Sequence, residues 1–172
     1  MKKTSRKEAV GAYLDLFYPI HYMVGIKIED TLRSQKLSRH QTCILWMIRM
    51  KGGEKRMMRR KEIEKDLIGW FEISSSTVSK ALQSLSKVYG FVKITEDPVS
   101  AREKLVRLTP KGERFLEEMI RNGRCLMQWM IDRLDDDEVP NGVHFLSRVT
   151  DIFETFPGLE QAQAEMDKNG TS

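Results

Sequence analysis

The run Ser74-Ser75-Ser76-Thr77, continued by Ser79 and Lys80, sets five hydroxyls and an ammonium within seven residues. Short polar side chains at a helix start suit one chemistry above others. They let the helix approach base edges in a major groove, while the helix N-terminus itself favours phosphate. Lys80, one turn on, reaches a phosphate or a guanine edge. The plainer alternative is that Ser74 to Ser76 only cap the helix and the later hydroxyls face water. Further along, Arg102 stands in the polar stretch Glu96–Lys104 between two strand-like segments. A guanidinium on such a loop fits a narrow minor groove, and it is equally an ordinary exposed charge.

These groups need positioning elements. Val78, Ala81, Leu82, Leu85 and Val88 recur at helical spacing behind the hydroxyl run, and Gly90 is placed as the stop. Upstream, Ser38 and Gln41 form a capping box for a helix with Cys43, Ile44, Met47 and Ile48 inward, ended by Gly52-Gly53. The basic stretch that follows has room for a very short strand at Met57-Met58. A short helix is expected from Lys61 to Ile68, stopped by Gly69. That leaves Trp70 and Phe71 in a lengthened turn, packing in the core or offering an aromatic edge to a partner. Downstream, Phe91–Thr95 and Leu105–Thr109 read as a hairpin.

The flanks are helical. Glu8 to Ser34 reads as one long helix kinked or broken at Pro19. Pro110, capped by Thr109, opens a helix with a broad apolar stripe and an expected bend at Asn122-Gly123. A last helix spans Asp137 to Phe156, and Pro157-Gly158 stops it. The acidic run Asp135–Glu138 suits its N-terminus, where the dipole favours negative charge, better than it suits a cation site. The tail from Leu159 to Ser172 is polar and expected to fray.

Composition bounds the rest. The chain has 172 residues, 29 Lys+Arg and 25 Asp+Glu, a net +4. That average hides a gradient: Lys36 to Lys111 carries net +9, and Asp132 to Ser172 net −7. A basic middle beside an acidic end points to an anionic partner for the middle. Two cysteines, Cys43 and Cys125, give neither a disulfide framework nor zinc spacing, which fits a reducing, cytoplasmic setting. Cys43 reads as an inert core thiol. His21, His40 and His144 are scattered, without metal-ligand spacing. No apolar run approaches the ~20 residues of a membrane helix. The basic start Met1–Lys7 is not read as a signal peptide, because Asp15, His21 and Lys27 interrupt the apolar region behind it. There is no Gly-rich phosphate loop, nucleophile elbow or paired-carboxylate setting, so no enzyme and no cofactor are expected.

The run Ile73–Leu85, then Gly90-Phe91-Val92, then Asp97-Pro98 and Arg102-Glu103-Lys104-Leu105-Val106-Arg107-Leu108-Thr109-Pro110-Lys111-Gly112, resembles the MarR (multiple-antibiotic-resistance regulator) family. The resemblance implies a mainly α fold with a small β-hairpin wing. A winged helix-turn-helix lobe at residues 36–112 would sit between an N-terminal dimerisation helix at 1–35 and C-terminal dimerisation helices at 113–158, with a flexible tail at 159–172. It implies a homodimeric regulator of transcription, expected to be a repressor, on a pseudo-palindromic double-stranded operator. Ser74, at the start of the recognition helix, is a candidate DNA-binding residue, and Ser75, Ser76, Thr77, Ser79 and Lys80 match the family's contact positions. Arg102 matches its wing-tip arginine, although Ser100 stands where the family commonly has an orienting Asp. Arg59, Arg60 and Lys104 are candidate phosphate contacts. Relatives bind small aromatic ligands in a cleft, for which Tyr18, His21, Tyr22, Trp46 and Trp129 are candidates, with a plain core role as the alternative. A second reading is a winged-helix protein-interaction module without sequence-specific DNA binding, motivated by Trp70 and Phe71.

Overall fold

A computed structural model describes residues 5–34, 36–98, 100 and 103–169. It divides into two compact units, 1–126 and 127–172. In the first, α1 (Arg6–Tyr18) runs into a π-helical stretch, Pro19–Gly25, and then α2 (Ile26–Arg33). Pro19 lacks an N–H, so the ladder breaks there, and the wider π turn absorbs the break without ending the helix. Helix α3 (Arg39–Lys51) starts at the expected capping box: the Gln41 N–H donates to Ser38 Oγ, and the Ser38 N–H to Gln41 Oε1. Gly52 ends it. Strand β1 (Met57–Arg59) leads directly into α4 (Arg60–Phe71), and α5 (Ser75–Gln83) follows.

Strands β2 (Val92–Glu96) and β3 (Lys104–Leu108) form the hairpin, and β1 adds to its far side in the order β1-β3-β2, all antiparallel. Val106 pairs with both Ile94 and Met58. Behind the sheet, Ile44, Leu45, Ile48, Ile63, Leu67, Val78, Leu82, Leu85, Val92 and Val106 form a core almost without solvent exposure.

Helix α6 (Pro110–Ile131) leaves the wing through a tight join. Thr109 Oγ1 accepts from the Gly112 N–H at 3.0 Å and donates to the Gly90 carbonyl at 2.7 Å, while the Thr109 N–H donates to the Phe91 carbonyl. A Cβ on Gly112 would lie 2.0 Å from the Phe91 oxygen, so the Leu-Thr-Pro-Lys-Gly run is a docking device that needs glycine at its end.

Three local expectations change. Helix α4 runs through Gly69 to Phe71, and the lengthened turn does not exist; Glu72, at φ 47°, closes the helix instead. Phe71 packs on the core and lies edge-on to His40 at 5.2 Å, an anchor that outweighs the roughly 1 kcal/mol cost of a helical glycine. Trp70 is 55 % exposed and lies under Lys51. Val88 points outward, because residues Ser84–Val88 form a π turn whose extra residue rotates it off the buried face. Helix α6 continues through Asn122-Gly123, where Leu32 closes on Gly123 and the Asn122 amide donates to Ser34 Oγ.

In the second unit, α7 (Glu138–Glu154) begins beside the acidic run, where the Asp135 N–H donates to Glu138 Oε2. Residues Leu159–Asn169 form a further helix, α8, rather than a frayed tail.

Candidate nucleic-acid interface

The hydroxyl run is the N-terminus of α5. Ser74 caps it, accepting from the Thr77 N–H and lying 3.1 Å from the Thr77 hydroxyl. Val78, Ala81, Leu82 and Leu85 fix the helix to the core. Two of the remaining hydroxyls are committed internally. Ser75 donates to the Glu64 carboxylate on α4. Ser79 donates to the Ser75 carbonyl and accepts from Arg60 Nη2 at 2.9 Å. Ser76 and Lys80 are exposed on one face, with no side-chain partner among the described residues, and Gln83 continues that face one turn on. Gln83 escaped the sequence reading, although its spacing from Ser76 and Lys80 is that of a helix face.

The wing stands beside this helix. Arg60, Ser79, Leu82, Gln83, Ile94 and Lys104 line a cleft of about 90 Å3 between α5 and the hairpin. Arg60 is held by Ser79 and by Glu64 at 3.7 Å, and Lys104 is exposed on β3. Arg59 is engaged elsewhere: its Nε lies 3.3 Å from Asp97 and 3.4 Å from Glu103, and Lys61 shares Glu103 at 2.9 Å. Arg102 lies outside the described residues.

Residues 37–112 match the family described as the winged helix DNA-binding domain. No curated protein matches the sequence. Among solved structures, MarR from Escherichia coli is 23 % identical with a TM-score of 0.60, covering 77 % of this chain and 95 % of that one. The chain shares its fold with MarR. BpsR from Bordetella bronchiseptica, whose DNA binding is regulated by 6-hydroxynicotinic acid, is 24 % identical at TM-score 0.55, covering 87 % and 98 %. A variant of MepR from Staphylococcus aureus, solved bound to an oligodeoxyribonucleotide, is 19 % identical at TM-score 0.57, covering 82 % and 97 %.

Within this MarR-type fold a second feature lies behind the lobe. Glu29, Leu32 and Arg33 of α2, Arg39, Thr42, Cys43 and Trp46 of α3, and Phe71 of α4 line a cavity of about 190 Å3. Arg39 pairs with Glu29 at 2.5 Å across it. The Thr42 hydroxyl, the Trp46 indole N–H and the Arg33 Nε are buried without a hydrogen-bond partner among the described residues. Burial, together with the nearby Glu29 and Asp66 carboxylates, pushes the Cys43 thiol up to about 11.

Of the five ligand-cleft candidates, Trp46 lines this cavity. Tyr18, at the end of α1, and His21, on the π-helical stretch, each pack a ring against Tyr22, tilted at 5.0 Å and edge-on at 4.7 Å, and Trp129 lies in the second unit under Arg133. Glu29, Arg33, Arg39, Thr42 and Phe71 were not singled out from sequence. A cavity wall drawn from three helices leaves no local spacing to read.

Proposed function

We propose that the protein is a sequence-specific DNA-binding regulator of transcription that acts as a homodimer, represses its target genes in the cytoplasm, and is released by a small ligand. The observation that carries this reading is the exposed Ser76–Lys80–Gln83 face of α5 beside the basic Arg60–Lys104 cleft. A polar strip for base edges then adjoins cations for the flanking phosphate. Ser75 and Ser79 orient the helix from behind, through Glu64 and Arg60. The oligonucleotide bound to the MepR variant supports the same use of the fold.

The second copy is argued from apolar surface. Helix α1 and its π-helical continuation expose Leu14, Phe17, Tyr18 and Met23, and α7 exposes Val143, Leu146 and Phe153. Each unit thus leaves several large apolar side chains of one helix in water, which a second copy of the chain would cover. Two recognition helices then meet successive major grooves about one helical turn, ~10 bp, apart.

The ligand is argued from the 190 Å3 cavity. Its walls combine Leu32, Trp46 and Phe71 with three unpaired donors, a setting for a flat aromatic molecule carrying an acceptor group. Phe71 is a cavity wall and stands three residues before the α5 cap, so an occupant that moves it moves the recognition helix. The regulation of BpsR by 6-hydroxynicotinic acid supports a ligand of this class.

Footprinting on the DNA upstream of the protein's own gene tests the reading. Two protected patches about 10 bp apart are expected. Uniform protection or none contradicts it, and retained capture of a protein partner would then favour the interaction-module alternative.

A further inference from the structure

Three arginines converge on a groove that neither the DNA face nor the ligand cavity uses. Arg49 comes from α3, and Arg121 and Arg124 from α6, and with Glu117 and Ile120 they line a cavity of about 380 Å3. Arg121 and Arg124 are three residues apart on one helix face, and Glu117 lies one turn before Arg121. None of the four charged groups has an ion-pair partner within 4 Å among the described residues. Lys36, Arg39, Lys51, Arg59, Arg60 and Lys61 of the same unit each meet a carboxylate, whereas these three arginines share one groove without an ion pair. Three guanidinium groups and one carboxylate leave the groove at net +2, and arginine cannot relieve that repulsion by losing a proton. A bound anion relieves it. Planar guanidinium forks match oxyanions carrying several oxygens, which they bind in pairs of hydrogen bonds.

We infer that this groove is a binding site for a small oxyanion bearing at least two negative charges, such as a phosphorylated or polycarboxylate metabolite. The site is separate from the ligand cavity, yet it touches its wall: the Arg49 guanidinium lies over the Trp46 ring at 6.0 Å, and Trp46 lines that cavity. An anion that draws Arg49 off the ring changes the surroundings of the indole. The inference does not rest on DNA binding.

Calorimetric titration of the full-length protein with pyrophosphate at physiological ionic strength tests it. Saturable binding at one site per chain is expected. It should weaken about tenfold or more in Arg121→Gln/Arg124→Gln, and again in Arg49→Gln on the other helix, with unchanged thermal stability in each. Citrate in place of pyrophosphate distinguishes a phosphate from a carboxylate preference, and saturable binding of either anion supports the site. Equal binding by wild type and both variants overturns it. So does a shift of the oligomeric state in the variants without anion, which would make the groove a contact between copies. A drop of about 2 in the salt slope of DNA binding in the double variant also overturns it, since the arginines would then be DNA phosphate contacts.

Discussion

The guanidinium of Arg59 lies 3.3 Å from the carboxylate of Asp97, which is only 5 % exposed. Arg59 ends β1, Asp97 follows β2, and Glu103, 3.4 Å from the same Nε, precedes β3. One side chain thus ties together the ends of all three strands where the wing-tip loop begins. The Asp97 N–H donates to the Glu103 carbonyl at 2.9 Å and closes the same loop.

Under the proposed function, Arg59 serves DNA binding through the wing rather than by touching phosphate. Arg59→Ala should weaken operator binding with little change in its salt dependence. Lys80→Ala should lower the slope of log K against log salt by about 1, as expected for one lost phosphate contact. Anisotropy titrations at several salt concentrations separate the two. A slope change of that size in Arg59→Ala would make it a direct contact.

The α6 docking join predicts a stability cost. In Gly112→Ala the new methyl meets the Phe91 carbonyl, and backbone on one side or the other must shift. A loss of about 1–3 kcal/mol is expected, the range for overpacked sites. Urea denaturation measures it. Gly69→Ala, with open space around its Cβ, is the control and should stabilise by about 0.4–1 kcal/mol.

The thiols should differ in reactivity. Cys125 is exposed, whereas burial holds Cys43 protonated up to about 11. An aromatic disulfide reagent at neutral pH should label Cys125 rapidly and Cys43 only on unfolding, because the thiolate is the reactive form. The sign for stability follows. The unfolded thiol ionises near 9.0 while the folded one keeps its proton, so the contribution of Cys43 is complete below 9 and is lost as pH rises through about 11. Cys43→Ser should flatten that alkaline decline.

How much the sequence disclosed depended on the range of the interaction. The Ser38–Gln41 box and the Thr109–Pro110 start lie within a few residues and were legible as written. Gly69 misled, because local propensity marks it as a stop while Phe71, at the end of the same helix, anchors it on the core. Val88 misled because a single π turn shifts the periodicity. At the interface, residue type located the hydroxyl helix. It could not tell Ser76, which faces outward, from Ser75 and Ser79, which answer to Glu64 and Arg60 on another helix. Arg59 was legible as a basic residue, but its partner stands 38 residues away.

Competition binding tests the central claim most directly. Purified protein is titrated into labelled DNA from upstream of its own gene, with a scrambled duplex of equal length as competitor, at physiological salt. The account predicts a preference of about 1,000-fold or more for the upstream DNA, collapsing in Ser76→Ala/Lys80→Ala. Equal affinity for the two duplexes, or an unchanged preference in that variant, would contradict it.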